Sequence, residues 1–175
     1  LRNITLDLFL GGKLKIFQPN SGYRAGIDPV LSAASLPVKA GERVLELGCG
    51  VGVASLCLMR RVAGVEASGV EFNPKLADLA RRNGRENGLS LDIFDGDISD
   101  MPRDLLTQSF DHVMANPPYF DRVRGSRSED RDRERSRGED TPISVWVSTA
   151  ARRVKPKGHV HFIFPTERLA DLLAA

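Results

Sequence analysis

The chain has 175 residues, of which 41% are hydrophobic and 27% are charged, and its formal net charge is +2. This length and balance are typical of one folded globular domain and exclude a disordered chain, and the small net charge confines any contact with nucleic acid to a local basic surface. No apolar run is long enough to cross a bilayer, and the first residues lack the layout of a signal peptide, so we expect a cytoplasmic location.

The first predicted elements are a hairpin and a short helix. Partial alternation of apolar and polar residues on either side of Gly11-Gly12 predicts a β-hairpin with a two-residue turn. Asp28 is expected to cap a helix that has Pro29 at its first position. We expect residues 1–39 to form this hairpin and lead-in helix, and residues 40–175 to form the core of a single domain, 1–175.

The rest of the chain alternates strands with helices. Five predicted strands, RVLELGCG, ASGVEFN, LDIFDGDI, FDHVMAN and HVHFIFP, are each followed by a predicted helix. This α/β pattern predicts a mainly parallel sheet that is covered by helices on both faces. Trp146 lies in one of the helices with apolar residues at helical spacing, so we expect it to pack in the core.

Polar residues and glycines follow the predicted strands, where parallel sheets bind their ligands. The first strand ends in Glu46 and a G-x-G-x-G run, 48–52, whose glycines allow a tight turn and a close approach to a ligand. The second ends in Glu71, a carboxylate suited to a ribose diol, and the third ends near Asp97. A dinucleotide fold would need glycine or alanine at the position of Val53, so this pattern disfavours it.

The fourth predicted strand ends in the sequence NPPY. Pro117 and Pro118 make a stiff exit, because proline cannot donate to a sheet and restricts the residue before it. The stiff exit fixes the directions of the Asn116 carboxamide and the Tyr119 ring. Together these groups suit a planar ligand that carries an amine.

In this order and spacing, the motifs LELGCGVG, GVEFN, GDI and NPPY resemble those of the class I methyltransferases that use S-adenosylmethionine. The segment FQPNSGYRAGIDPVLSAA is similar to one in bacterial enzymes that methylate adenine N6 in a valine tRNA. The resemblance implies a Rossmann-like fold, methyl transfer to an exocyclic amine, and tRNA or another structured RNA as partner. Other proteins that fit the motifs are guanine-N2 methyltransferases of rRNA, glutamine-N5 methyltransferases of release factors, and a non-catalytic module that binds cofactor or RNA.

The resemblance also implies a set of cofactor contacts. Those expected at the methionine part of the cofactor are Glu46, Gly48, Cys49, Gly50 and Gly52, with Tyr23, Arg24 and Asp28 closing over it. Those expected at its adenosine part and its reactive end are Glu71 at the ribose, Phe72 on the adenine face, Asp97 and Ile98 at the adenine edge, and Asn116. Cysteines and histidines form no CxxC pair or cluster in the sequence, so no metal is expected.

The resemblance implies that Asn116, Pro117, Pro118 and Tyr119 form the catalytic site. The Asn116 side-chain oxygen and the Pro117 carbonyl would accept hydrogen bonds from the target amine, and Tyr119 would stack on its base. Catalysis would then depend on positioning and electrostatics, and the base would have to leave its stack.

Two segments of the chain carry further expectations. The stretch Arg122 to Thr141 has seven arginines against six acids, which predicts a solvated loop, with an RNA-contacting flap as the alternative. The chain stops after TERLADLLAA, whereas enzymes of the resembling fold add strands 6 and 7 as an edge hairpin. We therefore expect these strands to be missing and the exposed sheet edge to allow a homodimer.

Overall fold

The computed structural model describes residues 3–22, 24–118 and 141–175. Its strands are β1 (Ile4–Phe9), β2 (Leu14–Pro19), β3 (Arg43–Leu47), β4 (Glu66–Glu71), β5 (Asp92–Asp95), β6 (Phe110–Ala115) and β7 (Val154–Phe162). Its α-helices are α1 (Asp28–Ser35), α2 (Val53–Arg61), α3 (Pro74–Glu86), α4 (Arg103–Leu106), α5 (Ile143–Arg153) and α6 (Leu169–Leu173), with a 3-10 turn at Thr166–Arg168. None of the helices in these ranges has the length and apolarity needed to cross a bilayer.

Five strands form one parallel sheet in the order β5-β4-β3-β6-β7. The chain runs outward from β3 to β5 and then returns to the other side of β3 as β6. The order therefore reverses between β3 and β6, and open α/β sheets bind their ligands at the carboxyl ends of the strands at such a point. The predicted parallel α/β sheet is confirmed, and the point of reversal is where a ligand is expected.

Side chains on β3 alternate between two buried clusters, one on each face of the sheet. Val44 packs with the hairpin and with α1, α2 and α3, whereas Leu45 and Leu47 pack with α4 and α5. Trp146 belongs to the second cluster and is buried, as predicted. Because both faces are covered, the buried residues of the central strand, 44–47, are apolar except for Glu46, and a buried carboxylate in such a strand needs an explanation.

The expectation that strands 6 and 7 are missing is wrong, because β6 and β7 are both present and pair in parallel, with Ala115 opposite Phe162. The prediction from the sequence counted only the strands of the main sheet. The N-terminal hairpin contributes β1 and β2, which brings the number of strands in the described residues to seven. β7 also begins at Val154, directly after α5, rather than at His159. A register shift between Phe110 and His112 accommodates the extra residues.

The N-terminal hairpin is present, but its turn is longer than predicted. Phe9 pairs with Leu14, so residues 10–13 connect the strands. Leu10, Gly11 and Gly12 have φ angles of 52°, 65° and 87°, a run of left-handed backbone that explains the paired glycines. The prediction for the next helix is also off by one residue, because Ile27 occupies the cap position of α1.

Candidate active site

The carboxyl ends of β3 and β6 bring together two motifs that are far apart in the sequence. Leu47 is paired with Ala115 across the two parallel strands. The residues that follow, Gly48 and Asn116, therefore leave the sheet side by side. The predicted meeting of the glycine run and the NPPY motif at one edge is thus present up to Pro118, the last residue described before the gap.

The glycine run, residues 48–52, forms a turn that only glycine accommodates without strain. Gly48, Gly50 and Gly52 have φ angles of 63°, 56° and 82°. A Cβ atom on Gly48 would lie 2.7 Å from the ring of Trp146, so this position also requires a close approach. Gly52 precedes the first residue of α2, so the turn leads directly into the helix N-terminus, whose backbone amides can bind an anionic group.

Glu46 connects the end of β3 to the first turn of α2. Its Oε2 accepts hydrogen bonds from the Ser55 backbone amide at 3.1 Å and the Ser55 hydroxyl at 2.5 Å. Burial raises the pKa of Glu46 to about 7, against the two hydrogen bonds from Ser55, and the nearby Glu71 carboxylate raises it further. The carboxyl thus titrates near neutral pH, and a cation bound beside it would stabilise its ionised form.

We expect Glu46→Gln to change stability in a pH-dependent way. The folded pKa of about 7 exceeds the ordinary value of 4.5 for a glutamate, so the folded protein binds the proton more tightly and the free energy of unfolding falls as the pH rises from 4.5 through 7. The variant lacks this loss. The free energy of unfolding of the variant minus that of the wild type should therefore increase from pH 5 to pH 8, by on the order of 3 kcal/mol. Urea unfolding at both pH values measures this, and an equal difference at both would contradict it.

Glu71 fastens the glycine turn from the side of β4. Its Oε2 accepts a hydrogen bond from the Gly50 amide at 2.7 Å, and its Oε1 accepts one from the Asn73 amide at 2.9 Å. Burial raises the pKa of Glu71, and the backbone hydrogen bonds from Asn73, Gly50 and Phe72 oppose that rise. Each carboxylate oxygen keeps a further lone pair, so the predicted ribose contact remains chemically open.

The ends of β4 and β5 place the predicted adenine contacts beside the same turn. Phe72 follows Glu71 and is 40% exposed, so its ring is available to a planar ligand. Asp97 Oδ1 accepts hydrogen bonds from the Ser99 amide at 2.8 Å and the Ser99 hydroxyl at 2.7 Å. Ile98 is buried, and its carbonyl accepts a hydrogen bond from Thr149. Their roles toward adenine stay predictions.

Asn116 presents a buried acceptor atom at the end of β6. Its Oδ1 atom is fully buried, and none of the residues described donates a hydrogen bond to it. Leaving such an atom unpaired costs about 1–3 kcal/mol, which indicates a ligand donor at this position. The neighbouring Pro117 is buried and Pro118 is half-buried, so the exit is held firmly. Tyr119 lies outside the described residues, as does nearly all of the arginine-rich stretch.

The predicted cover over the methionine end lies only partly within the described residues. Arg24 donates hydrogen bonds to the Thr5 hydroxyl at 2.8 Å, to the Pro19 carbonyl at 2.6 Å and to Asp7 at 2.6 Å. These contacts fasten its guanidinium to the hairpin. Asp28 lies in the first turn of α1, and Tyr23 lies outside the described residues. The role of these three residues as a cover stays a prediction.

Cys49 has a packing role within the turn. The side chain is buried, and a Cβ atom on Gly69 would lie 2.7 Å from its sulfur, so β4 needs glycine there. Burial raises the pKa of the Cys49 thiol well above its usual value, and the charges of Glu46 and Glu71 act in the same direction. The thiol is therefore protonated and unreactive, and any cofactor contact at this position would come from the backbone.

Sequence reasoning missed two polar residues that hold the turn, Ser55 and Asn83. Asn83 is fully buried on α3, and its Nδ2 donates a hydrogen bond to the Val51 carbonyl at 2.9 Å. The available signal was an asparagine inside the otherwise apolar stripe of a helix, between Ala80 and Gly84. A polar residue in such a stripe needs a buried partner.

The three histidines are scattered in the sequence but lie together on β6 and β7. His112 Nδ1 is 3.0 Å from His161 Nε2, and its Nε2 is 3.1 Å from a carboxylate oxygen of Glu42. His159 and His161 both stack on His112, at ring-centre distances of 5.4 and 5.2 Å. Across the ranges that the structure covers, no group of three or more His, Cys, Asp or Glu has the arrangement of a metal site.

Residues 29–128 fit the sequence profile of the methyltransferase small domain family. A tRNA1(Val) (adenine(37)-N6)-methyltransferase of Porphyromonas gingivalis is 31% identical, and the match covers 95% of this chain and 68% of the relative. A Haemophilus influenzae protein with the same name is 30% identical over 93% of this chain and 70% of its own length. The chain thus spans about two thirds of the length of these relatives.

Solved structures share the fold. The 16S rRNA N2 G1207 methyltransferase of T. thermophilus, solved with AdoMet and guanosine, has a TM-score of 0.68 at 21% identity, over 98% of this chain and 44% of that chain. A methyltransferase of Pyrococcus furiosus has a TM-score of 0.66 at 19% identity, over 95% of this chain and 75% of that chain. At this level of identity, the likeness extends to the architecture alone.

Proposed function

This chain belongs to the methyltransferase small domain family, and from that premise we propose that it methylates an exocyclic amine of RNA, most specifically N6 of an adenine in tRNA. Family membership and the names of the relatives make it an S-adenosylmethionine-dependent N-methyltransferase. The observation that carries the proposal is the buried Asn116 Oδ1 beside the glycine turn, which receives no hydrogen bond from the part of the chain that the structure describes. The choice of adenine in tRNA is supported by the names of the relatives.

The residues at the turn suit S-adenosylmethionine. The cofactor supplies a methyl group on a positively charged sulfonium sulfur. Two buried carboxylates, Glu46 and Glu71, flank the turn, and burial raises the pKa of both. A bound cation would favour their ionised forms, so these side chains can hold the charged end, while the exposed Phe72 ring suits the adenine face.

Asn116 would act on the amine that is methylated. The lone pair of an exocyclic amine is delocalised into the ring, which makes the nitrogen a poor nucleophile. The Asn116 Oδ1 atom, and the Pro117 carbonyl as the predicted second acceptor, would take hydrogen bonds from the amine and orient its lone pair. Both groups act by position, because the strand exit holds them before the substrate arrives.

A methyl-transfer assay tests this proposal. Tritiated S-adenosylmethionine is incubated with total tRNA, rRNA, DNA and release factor, and labelled RNA is digested for nucleoside mass spectrometry. We expect label in tRNA as N6-methyladenosine, and labelling about 10²–10³-fold slower with the Asn116→Ala variant. Label in guanine of rRNA or in glutamine of release factor would contradict adenine in tRNA as the substrate and identify those groups instead. Cofactor binding without transfer to any of the four would favour a binding module.

We further propose that residues 1–175 act as one methyltransferase domain in the cytoplasm, where the RNA substrate occurs. Contacts between the hairpin and α3 support the inclusion of residues 1–39. The argument for a homodimer started from missing strands, which the structure contradicts. Self-association therefore stays a prediction that sedimentation analysis can test.

A further inference from the structure

The outer edge of β2 is paired with side chains of α3. The Lys15 amide donates to Asn87 Oδ1 at 2.9 Å, and Asn87 Nδ2 donates to the Lys15 carbonyl at 2.8 Å. The Phe17 amide donates to Asn83 Oδ1 at 2.8 Å, and Asn83 Nδ2 donates to the Phe17 carbonyl at 3.1 Å. Each carboxamide thus replaces the peptide group of a neighbouring strand, and the hairpin edge is satisfied.

The spacing of the two asparagines matches the spacing of the strand. Residues i and i+4 of a helix are separated by about 6 Å along its axis. Alternate residues of an antiparallel strand are separated by about 6.8 Å. Asn83 therefore reaches Phe17 and Asn87 reaches Lys15 in register, and the sequence N-x-x-x-N on α3 specifies where the hairpin docks.

Asn83 differs from Asn87 in what else it binds. Its Nδ2 donates a further hydrogen bond to the Val51 carbonyl, within the glycine turn, at 2.9 Å. The further hydrogen bond of Asn87 Nδ2 goes to the Asn83 carbonyl, within its own helix. One side chain thus joins the hairpin to the turn, and the other joins the hairpin to the helix alone.

The hydrogen bond to Val51 completes a set that holds the turn from two sides. Glu71 binds the Gly50 amide from β4, and the Cys49 amide donates to the Val70 carbonyl at 3.0 Å. Asn83 holds the next carbonyl from α3. The peptide between Cys49 and Gly50 and the one between Val51 and Gly52 are therefore each fixed by a different element. Since glycines have no intrinsic preference for one backbone state, these bonds select the conformation.

We infer that Asn83 is a positioning residue for the cofactor site. Through Val51 it sets the backbone of Gly50 and Gly52, and through Phe17 it makes the hairpin part of that support. The inference rests on the proposed function, because it assigns the turn to S-adenosylmethionine. Asn83 contacts neither the cofactor nor the substrate in this scheme, so its loss should weaken cofactor binding and leave the chemical step intact once cofactor saturates.

Asn83→Asp tests the inference, with Asn87→Asp as a matched control. Both substitutions replace a side-chain amide nitrogen that donates to the edge of β2 by a carboxylate oxygen. Only Asn83→Asp also removes the hydrogen bond to the Val51 carbonyl. We expect the dissociation constant of S-adenosylmethionine, measured by calorimetry, to rise about tenfold or more in Asn83→Asp and to stay within twofold in Asn87→Asp. The kcat at saturating cofactor should stay within threefold in both.

A charge at this fully buried position can unfold the protein, so Asn83→Ser provides a neutral second variant. Circular dichroism measures the folded fraction, and the affinity is compared at equal folded fraction. An equal loss of S-adenosylmethionine affinity in the variants at positions 83 and 87, or no loss at position 83, overturns this inference. The proposed function is unaffected by either result. Unfolding of both Asn83 variants also overturns it, because Asn83 would then support the fold as a whole. Absence of cofactor binding by the wild type overturns the proposed function, and the inference with it.

Discussion

Asn116→Ala is expected to lower kcat for methyl transfer by about 10²–10³-fold, a loss comparable to that of one preorganised hydrogen-bonding group in other active sites. The physical reason is that Oδ1 is a buried acceptor on the proline exit, without a donor among residues 3–22, 24–118 and 141–175, so it can accept the amine hydrogen. The dissociation constant of S-adenosylmethionine should stay within about twofold, because the turn keeps all of its supporting hydrogen bonds. Single-turnover transfer to tRNA and calorimetry measure the two quantities separately.

Asn116→Asp provides the control for this prediction. It keeps an acceptor oxygen at the same position and nearly the same volume, so it should retain more activity than Asn116→Ala. A loss of cofactor affinity as large as the loss of kcat would assign Asn116 to the cofactor site instead. Full activity of Asn116→Ala would remove the proposed role of its carboxamide.

Glu71→Ala is expected to raise the dissociation constant of S-adenosylmethionine by about 10²-fold. One part of the loss is the predicted ribose contact, in which each charge-assisted hydrogen bond is worth about 1.5–3 kcal/mol. The other part comes from the turn, because the Gly50 amide loses the acceptor that holds it. The kcat at saturating cofactor should change much less. Calorimetry with S-adenosylmethionine and steady-state kinetics over a range of cofactor concentrations provide the measurement.

Glu71→Gln separates the two contributions. Glutamine keeps one acceptor oxygen but has no charge, so it can still bind either the Gly50 or the Asn73 amide. We expect an affinity between that of the wild type and that of Glu71→Ala. A folded Glu71→Ala protein that binds cofactor as tightly as the wild type would contradict both the ribose role and the support of the turn.

Much of the candidate site could be predicted because its signals are local. Glycines at positions 48, 50 and 52 indicate left-handed backbone, and all three have it. The Asn73 side chain accepts a hydrogen bond from the Lys75 amide at the beginning of α3, and asparagine followed by proline is a common start of a helix. Such features depend on the backbone preferences of a few neighbouring residues, so a short stretch of sequence suffices.

The errors fall where the answer depends on distant residues. The turn between β1 and β2 was predicted from its two glycines, but the pairing of Phe9 with Leu14 set its length. The start of β7 was placed too late, because its pairing with β6 includes a register shift that no local pattern marks.

The sequence by itself determined the order of strands and helices, the chemistry at each strand end and the family, because these depend on residue type and spacing along the chain. Only the tertiary structure decided that β6 lies beside β3, which places Asn116 next to Gly48. It also decided that Glu71 and Asn83 hold the same turn from opposite elements. Hydrogen bonds between residues far apart in the chain depend on how strands pair and helices pack, and that arrangement is a property of the whole fold.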